Sequence, residues 1–413
     1  MPDAFVNPSW MPFFVREALV AGTADGRELA SGRAFQGLLD SLGRAADVVL
    51  SDGLPQNPAD TAAGFRHLLV LLELGVNEIL RGDRGLDPMI KPANTDNAVK
   101  WGMDCPDCAY SGSPIRGNET YRITGTRGTA RYVGLQANAG MAATANLLLD
   151  ELEMDADGNF ELILSAQEHP GNWLPIEPGA SALIIRQFFY DWDNEIPATF
   201  NIERLSGEDD SAAPDRSALI PADAALARQL DALGQFVEAN LDFFLGFAHP
   251  DKPNSFLEGI DRSSMGAAAE NRPVIGRWSL APDEALILEV VPPEGLYWGF
   301  SLGNVWWETI DYARHISSIN GHQAVLDADG VLRLVVAHAD PGVPNWIDTA
   351  GHSEGPMIMR YVRTTAAPVP STREVKFDQV RHALPPDTAV VTPEERARTV
   401  AARRRSVARR FPR

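Results

Sequence analysis

Cysteine is nearly absent from this chain: two in 413 residues, too few for a disulfide framework. Long apolar runs are missing as well. None approaches the ~20 residues that cross a bilayer, so no membrane span is expected. The opening Met1-Pro-Asp-Ala-Phe-Val-Asn-Pro has neither a basic nor an apolar stretch, which argues against a signal peptide. Positive charge is scarce: 36 Lys and Arg face 56 Asp and Glu, a net charge of −20. That balance argues against nucleic acid or an anionic membrane as partner. No G-x-S-x-G elbow, P-loop or G-x-G-x-x-G is present, which lowers the case for those hydrolase, nucleotide-triphosphatase and dinucleotide folds. What is there is ordinary for a globular protein: 45% apolar and 22% charged residues, at a length that suits two or three domains. A cytoplasmic protein is the expectation.

The strongest positive signal is an internal repeat. Asp155-Ala-Asp-Gly-Asn-Phe-Glu-Leu-Ile-Leu-Ser-Ala is matched by Asp327-Ala-Asp-Gly-Val-Leu-Arg-Leu-Val-Val-Ala-His. Asn172-Trp173 meets Asn345-Trp346, and Ile-Ile-Arg186-Gln-Phe meets Ile-Met-Arg360-Tyr. The offset drifts only from 172 to 174 residues. Asp157-Gly158 and Asp329-Gly330 supply residues that tolerate positive φ in tight hairpin turns. The runs Phe160–Leu164, Leu183–Phe189, Val331–Val336 and Met357–Val362 read as strands, with further short strands upstream. Helical stripes precede each copy: Phe65, Leu68, Leu69, Leu72, Val76, Ile79 and Leu80 before the first; Leu226, Leu230, Leu233, Val237, Leu241 and Phe244 before the second.

The expected architecture is mainly β with helices (α+β). An N-terminal helical segment (1–60) is followed by a helix and β-sandwich, jelly-roll-like, at 61–205. An acidic linker (206–215) leads to a second such unit at 216–391. The tail, 392–413, carries eight Arg and two Glu, net +6, leaving −26 on the rest. Thr392-Pro393-Glu394-Glu395 reads as a capping box opening a basic helix. That helix is expected to dock on the acidic body of its own chain or on a neighbouring subunit, where it would build a homo-oligomer.

Three stretches carry a resemblance: Asn304-Val-Trp-Trp-Glu-Thr-Ile-Asp311-Tyr, Gln323-Ala-Val-Leu-Asp-Ala-Asp-Gly, and Val336-Ala-His338-Ala-Asp340-Pro-Gly-Val-Pro-Asn345-Trp-Ile-Asp348-Thr-Ala-Gly-His352. With Gly171-Asn-Trp-Leu-Pro and Arg186-Gln-Phe-Phe-Tyr-Asp-Trp in the first copy, the chain resembles the bacterial "domain of unknown function 1214" family over most of 95–365. The resemblance implies paired jelly-roll-like β-units with helical additions. It implies no reaction.

Duplication provides an internal control for chemistry. The shared Asn-Trp pairs are read as structural. His338, Asp348 and His352 stand opposite Ala166, Pro175 and Gly179, and Asp340 stands opposite Glu168, so ionisable groups concentrate in the second copy. These four are the candidate catalytic residues, a histidine working beside a carboxylate on a small ring-containing or moderately apolar metabolite, by hydrolase, lyase or isomerase chemistry. Asn304, Trp306, Glu308, Asp311, Asn345 and Trp346 are the candidate substrate-binding residues. No cofactor is expected. A divalent metal on His338, Asp340 and His352 is the lesser alternative. Others are a non-catalytic module that stacks a glycan or other ring on tryptophan, a scaffold, or residues that merely tie a loop. Cys105-Pro-Asp-Cys108 has redox spacing without a redox context and is expected not to be catalytic.

Overall fold

The computed structural model describes residues 26–79, 85–92, 99–139, 142–205, 223–247, 252–257 and 270–411. The first 25 residues, Leu80 and the acidic linker lie outside the described residues. Two β units follow one another with the same strand order. In the first, β1 (Lys91–Pro92), β2 (Cys108–Pro114), β8 (Ala182–Phe188), β4 (Tyr132–Ala139) and β5 (Ala142–Leu148) form one sheet in that order. The facing sheet runs β7 (Trp173–Pro175), β6 (Asn159–Ser165), β3 (Thr120–Thr126), β9 (Thr199–Leu205).

The second unit repeats this. One sheet is β10 (Ser255–Phe256), β11 (Asn271–Ser279), β17 (Glu354–Thr364), β13 (Gly295–Leu302), β14 (Ser318–Asn320). The other is β16 (Trp346–Asp348), β15 (Leu332–Ala337), β12 (Glu284–Val290), β18 (Ser371–Lys376). All pairings are antiparallel except β6 with β7 and β15 with β16, the same position in each copy. Those parallel ribbons carry the shared Asn-Trp pairs. Asn172 and Asn345 each bind three backbone groups of neighbouring segments, while Trp173 and Trp346 donate to the carbonyls of Ser165 and Ala337. Gly158 and Gly330 hold φ of 78° and 77° in the matching turns, a conformation that disfavours a Cβ. Each sandwich closes over residues from both its sheets, such as Leu135, Ile185, Leu162 and Ile202 in the first and Val274, Met357, Leu286 and Leu334 in the second.

The helices are placed less symmetrically. Helices α1 (Gly26–Ala30), α2 (Arg33–Val49), α3 (Pro58–Ile79) and α4 (Asp223–Leu245) pack on one another. Their shared core takes in Ile275, Trp306, Trp307 and Ile358 of the second unit but, among the described residues, no strand residue of the first. So α3 covers the second sandwich, not the one that follows it. The stripe on α4 is the expected one, with Leu230, Leu233, Val237, Leu241 and Phe244 buried. On α3 the buried face is rotated. Phe65, Leu69 and Val76 are exposed, Leu69 by 67%, whereas Asp60, Ala63, His67, Leu71 and Leu74 are buried. Residues 68–72 are apolar on every side, so periodicity alone selects no face. Polar partners on the second unit select it.

Helices α5 (Val380–Ala383) and α6 (Pro393–Arg410) end the chain. The capping box on α6 is present in both directions, Glu395 N–H to Thr392 Oγ1 and Thr392 N–H to a Glu395 carboxylate oxygen. The helix lies on its own chain and touches both units. Arg396 forms a two-bond pair with Asp340, and Arg409 and Ser406 reach Asp193. The buried arginines do not meet acids. Arg403 donates to Tyr312 O and Ser318 Oγ, Arg410 donates to Pro106 O, and both guanidinium groups sit over Trp192, at 4.6 and 4.2 Å. The expected acidic dock is therefore mostly an aromatic and carbonyl dock. Nearby, buried Asp107 accepts hydrogen bonds from Trp192 in the first unit and from Tyr297 and Asn320 in the second, tying the units together. Cys105 and Cys108 flank it, buried and joined by a disulfide.

Candidate functional site in the second unit

The turn between β16 and β17 organises the ionisable residues of the second copy. Thr349, Ala350, Gly351 and His352 form it, closed by the His352 N–H donating to Thr349 O at 3.0 Å. Ala350 and Gly351 both have positive φ, 50° and 86°, the signature of a type I′ turn. An alanine held there is a locally strained backbone.

Asp348 enters the turn from β16. Its backbone N–H donates to Ile316 O, and its carboxylate accepts from the Ala350 N–H and from His315 Nδ1 at 2.7 Å. The His315 side chain is 39% exposed, and its Nε2 makes no hydrogen bond among the described residues. The hydrogen bond to Asp348, with the charges of Asp348 and Asp311 behind it, raises the His315 pKa above its ordinary value against the opposing effect of burial.

At the far end of the turn, His352 Nδ1 meets Asp60 Oδ1 of α3 at 2.6 Å. Asp60 also accepts from the Ser353 N–H and hydroxyl and from Asn57. Burial pushes the Asp60 carboxyl up, but these hydrogen bonds, the one from His352 first, outweigh it and hold the pKa below the usual carboxylate range. His352 Nε2 likewise makes no hydrogen bond among the described residues.

His338 is held differently. Nε2 donates to Leu280 O at 3.2 Å, so in the neutral ring Nδ1 accepts from the Thr349 hydroxyl at 2.8 Å. Both ring nitrogens are used. The sequence placed His338 or His352 beside Asp340 or Asp348; the structure pairs His352 with Asp60, Asp348 with His315 and Asp340 with Arg396. Among the described residues no group of three or more His, Cys, Asp or Glu is arranged to hold a metal ion, and His338, Asp340 and His352 each bond elsewhere.

Of the candidate substrate-binding residues, Asn304, Trp306 and Glu308 share a buried seam against α3, while Asp311, Asn345 and Trp346 lie apart from it. Asn304 Oδ1 accepts the backbone N–H groups of Trp306 and Glu308, and its amide donates to the Glu308 carboxylate. Glu308 is fully buried and also bonds His67 and Arg66 of α3. Burial would raise its pKa, yet His67, Arg66 and Asn304 bring it down to about 2. Trp306 is 1% exposed and donates to Asp60 O, and Trp346 is 9% exposed under Arg396, so neither indole offers an open face. Asp311 caps the backbone of Ala313 and Arg314 and adds its charge beside His315. Beside the seam, Lys100 donates to Thr309 O, and Asp104 accepts from Thr309.

Asp60 and His67, neither of them singled out from sequence, complete this site with His315. Asp60 and His67 lie seven apart in an apolar helix, hence on one face, and that was the available signal.

Comparison with known proteins follows the same outline. The family described as "Protein of unknown function (DUF1214)" matches residues 108–190, which is β2 to β8 and the two residues after it. The crystal structure of an uncharacterised protein from Burkholderia cenocepacia is similar at 32% identity and a TM-score of 0.76, over 86% of this chain and 100% of that one. The chain belongs to the DUF1214 family. As a DUF1214 protein it carries the family match in its first unit, while its ionisable turn lies in the second. The VPA0106 protein from Vibrio parahaemolyticus is 11% identical over 75% of this chain and 97% of that one, with a TM-score of 0.43. No curated protein matches. No helix among the described residues is long and apolar enough to cross a membrane.

Proposed function

We propose that this DUF1214 protein is an enzyme that performs general acid–base chemistry on a small, ring-containing or moderately apolar metabolite at the 348–352 turn. One observation carries the reading: two imidazoles, His315 and His352, each have Nδ1 bound to a carboxylate and Nε2 unengaged, on either side of one strained turn. A carboxylate behind Nδ1 fixes the tautomer and leaves the Nε2 lone pair free to take a proton. Once protonated, the same ring is stabilised by its carboxylate and can return the proton. One imidazole acting as base while the other acts as acid would suit hydrolysis, elimination or isomerisation. Asp348 and Asp60 are positioning residues in this scheme, and His338 ties the turn.

The test is turnover of a metabolite extract followed by mass spectrometry, comparing the full chain with His315→Gln, His352→Gln and the first-unit control His169→Gln. Loss of a positioned acid or base costs about 10²–10⁴-fold. We expect a conversion that survives His169→Gln and is lost in both other variants, with melting temperatures retained. A conversion that proceeds equally in all four proteins, or none at all, would sink the reading.

A further inference from the structure

The repeat offers a second comparison, on the opposite unit. Arg186 in β8 and Arg360 in β17 occupy the same place: each lies opposite a glycine, Gly134 or Gly299, and a tyrosine two residues before it, Tyr132 or Tyr297, folds its ring over that glycine. In the second unit this trio is sealed. Arg360 donates to Ser301 Oγ and Met103 O, and Tyr297 donates to Asp107. In the first unit it is open. Arg186 makes one hydrogen bond, from Nη1 to Gln136 Oε1 at 2.6 Å, and the Tyr132 hydroxyl makes none among the described residues. Both line a pocket of about 190 Å³, with Leu147, Leu148, Asn146 and Glu270 around them.

The half-buried guanidinium of Arg186 has no carboxylate partner among the described residues, and burial lowers its pKa. Burial holds Tyr132 as the neutral phenol, its pKa pushed up to about 12, so it remains a donor.

We propose that this pocket binds a small monocarboxylate. The carboxylate would take the unused N–H groups of Arg186 side by side, the planar pairing that guanidinium favours, with Tyr132 donating to it. Leu147 and Leu148 would receive a short carbon chain. At ~30 Å³ per water the pocket holds about six waters, room for the carboxylate and a short carbon chain. Glu270 and Glu151 on the lining oppose any negative charge, so only the single charge that Arg186 offsets is accommodated and dicarboxylates and phosphate are disfavoured. The site is separate from the histidine turn and does not depend on it.

Butyrate, butyramide and succinate titrated into the full-length chain and followed by amide NMR provide the test. Butyrate should shift residues 134–136 and 146–148 at ~1 mM, and the other two should not at ~20 mM. Arg186→Gln should weaken butyrate by about tenfold or more in a protein that stays folded. Tyr132→Phe should keep the fold and weaken butyrate severalfold. His315→Gln should leave binding unchanged. Absence of butyrate shifts, equal binding of butyramide, or unchanged affinity in a folded Arg186→Gln would each overturn the proposal.

Discussion

At the scale of single residues, the account rests on which atom faces which. His315 owes its raised pKa first to Asp348, so Asp348→Asn should return its titration toward the ordinary value near 6.5, read by NMR. The sign for stability follows. With the folded pKa above the unfolded one, the pair stabilises fully below about pH 6.5, and that contribution fades as pH rises through the folded value. Because the ring is 39% exposed, solvent screening keeps the effect small. The fully buried Glu308 is a larger matter. Glu308→Gln weakens the hydrogen bonds that buried His67, Asn304 and half-exposed Arg66 make to the carboxylate and should cost about 1–3 kcal/mol in urea denaturation. A loss under ~1 kcal/mol would mean that the seam does not rely on the charge of the carboxylate. Asn345 and Trp346 were legible from sequence as structural ties, since Asn172 and Trp173 repeat them. The partners of Asp348 and His352 were not legible. Nearly 300 residues separate His352 from Asp60, and nothing local to either announces the other.

Among the elements, the terminal helix makes the sharpest contrast between pattern and packing. Its capping box and its docking were readable from charge and local sequence, with its own chain and a neighbouring subunit equally open as the dock. The nature of the dock was not, because net charge does not say which arginines turn inward. Arg403 and Arg410 are buried on Trp192 and backbone carbonyls, while Arg404 and Arg405 are exposed. Arg403→Ala should therefore cost on the order of 2 kcal/mol, and Arg404→Ala no more than about 0.5 kcal/mol. Removing residues 392–411 should lower the melting temperature by an amount that hardly changes with salt, since carbonyl and ring contacts are little screened. A strongly salt-dependent loss would restore the acidic dock. The α3 stripe teaches the same lesson: a helix apolar all round takes its orientation from polar partners elsewhere in the chain.

The whole molecule reads as a duplication that is no longer symmetric. Both copies keep strand order, turns and Asn-Trp ties, which is why the repeat alone revealed the two β units. The copies differ where segments from outside cover them. Helices α2, α3 and α4 lie on the second unit, Met103 seals Arg360, and no described residue does the same for Arg186. The second unit is thus completed by the N-terminal third of the chain. A fragment of residues 216–411 would bare Trp306 and the carboxylate of Glu308, and circular dichroism should find no cooperative thermal transition in it. The central claim, two carboxylate-held imidazoles poised on one turn, is tested most directly by the tautomers of the neutral histidines, measured by long-range ¹⁵N–¹H NMR on the full chain. The account predicts the proton on Nδ1 of His315 and His352 and on Nε2 of His338. Protons on Nε2 in His315 and His352 would leave no free lone pair facing outward, and would contradict it.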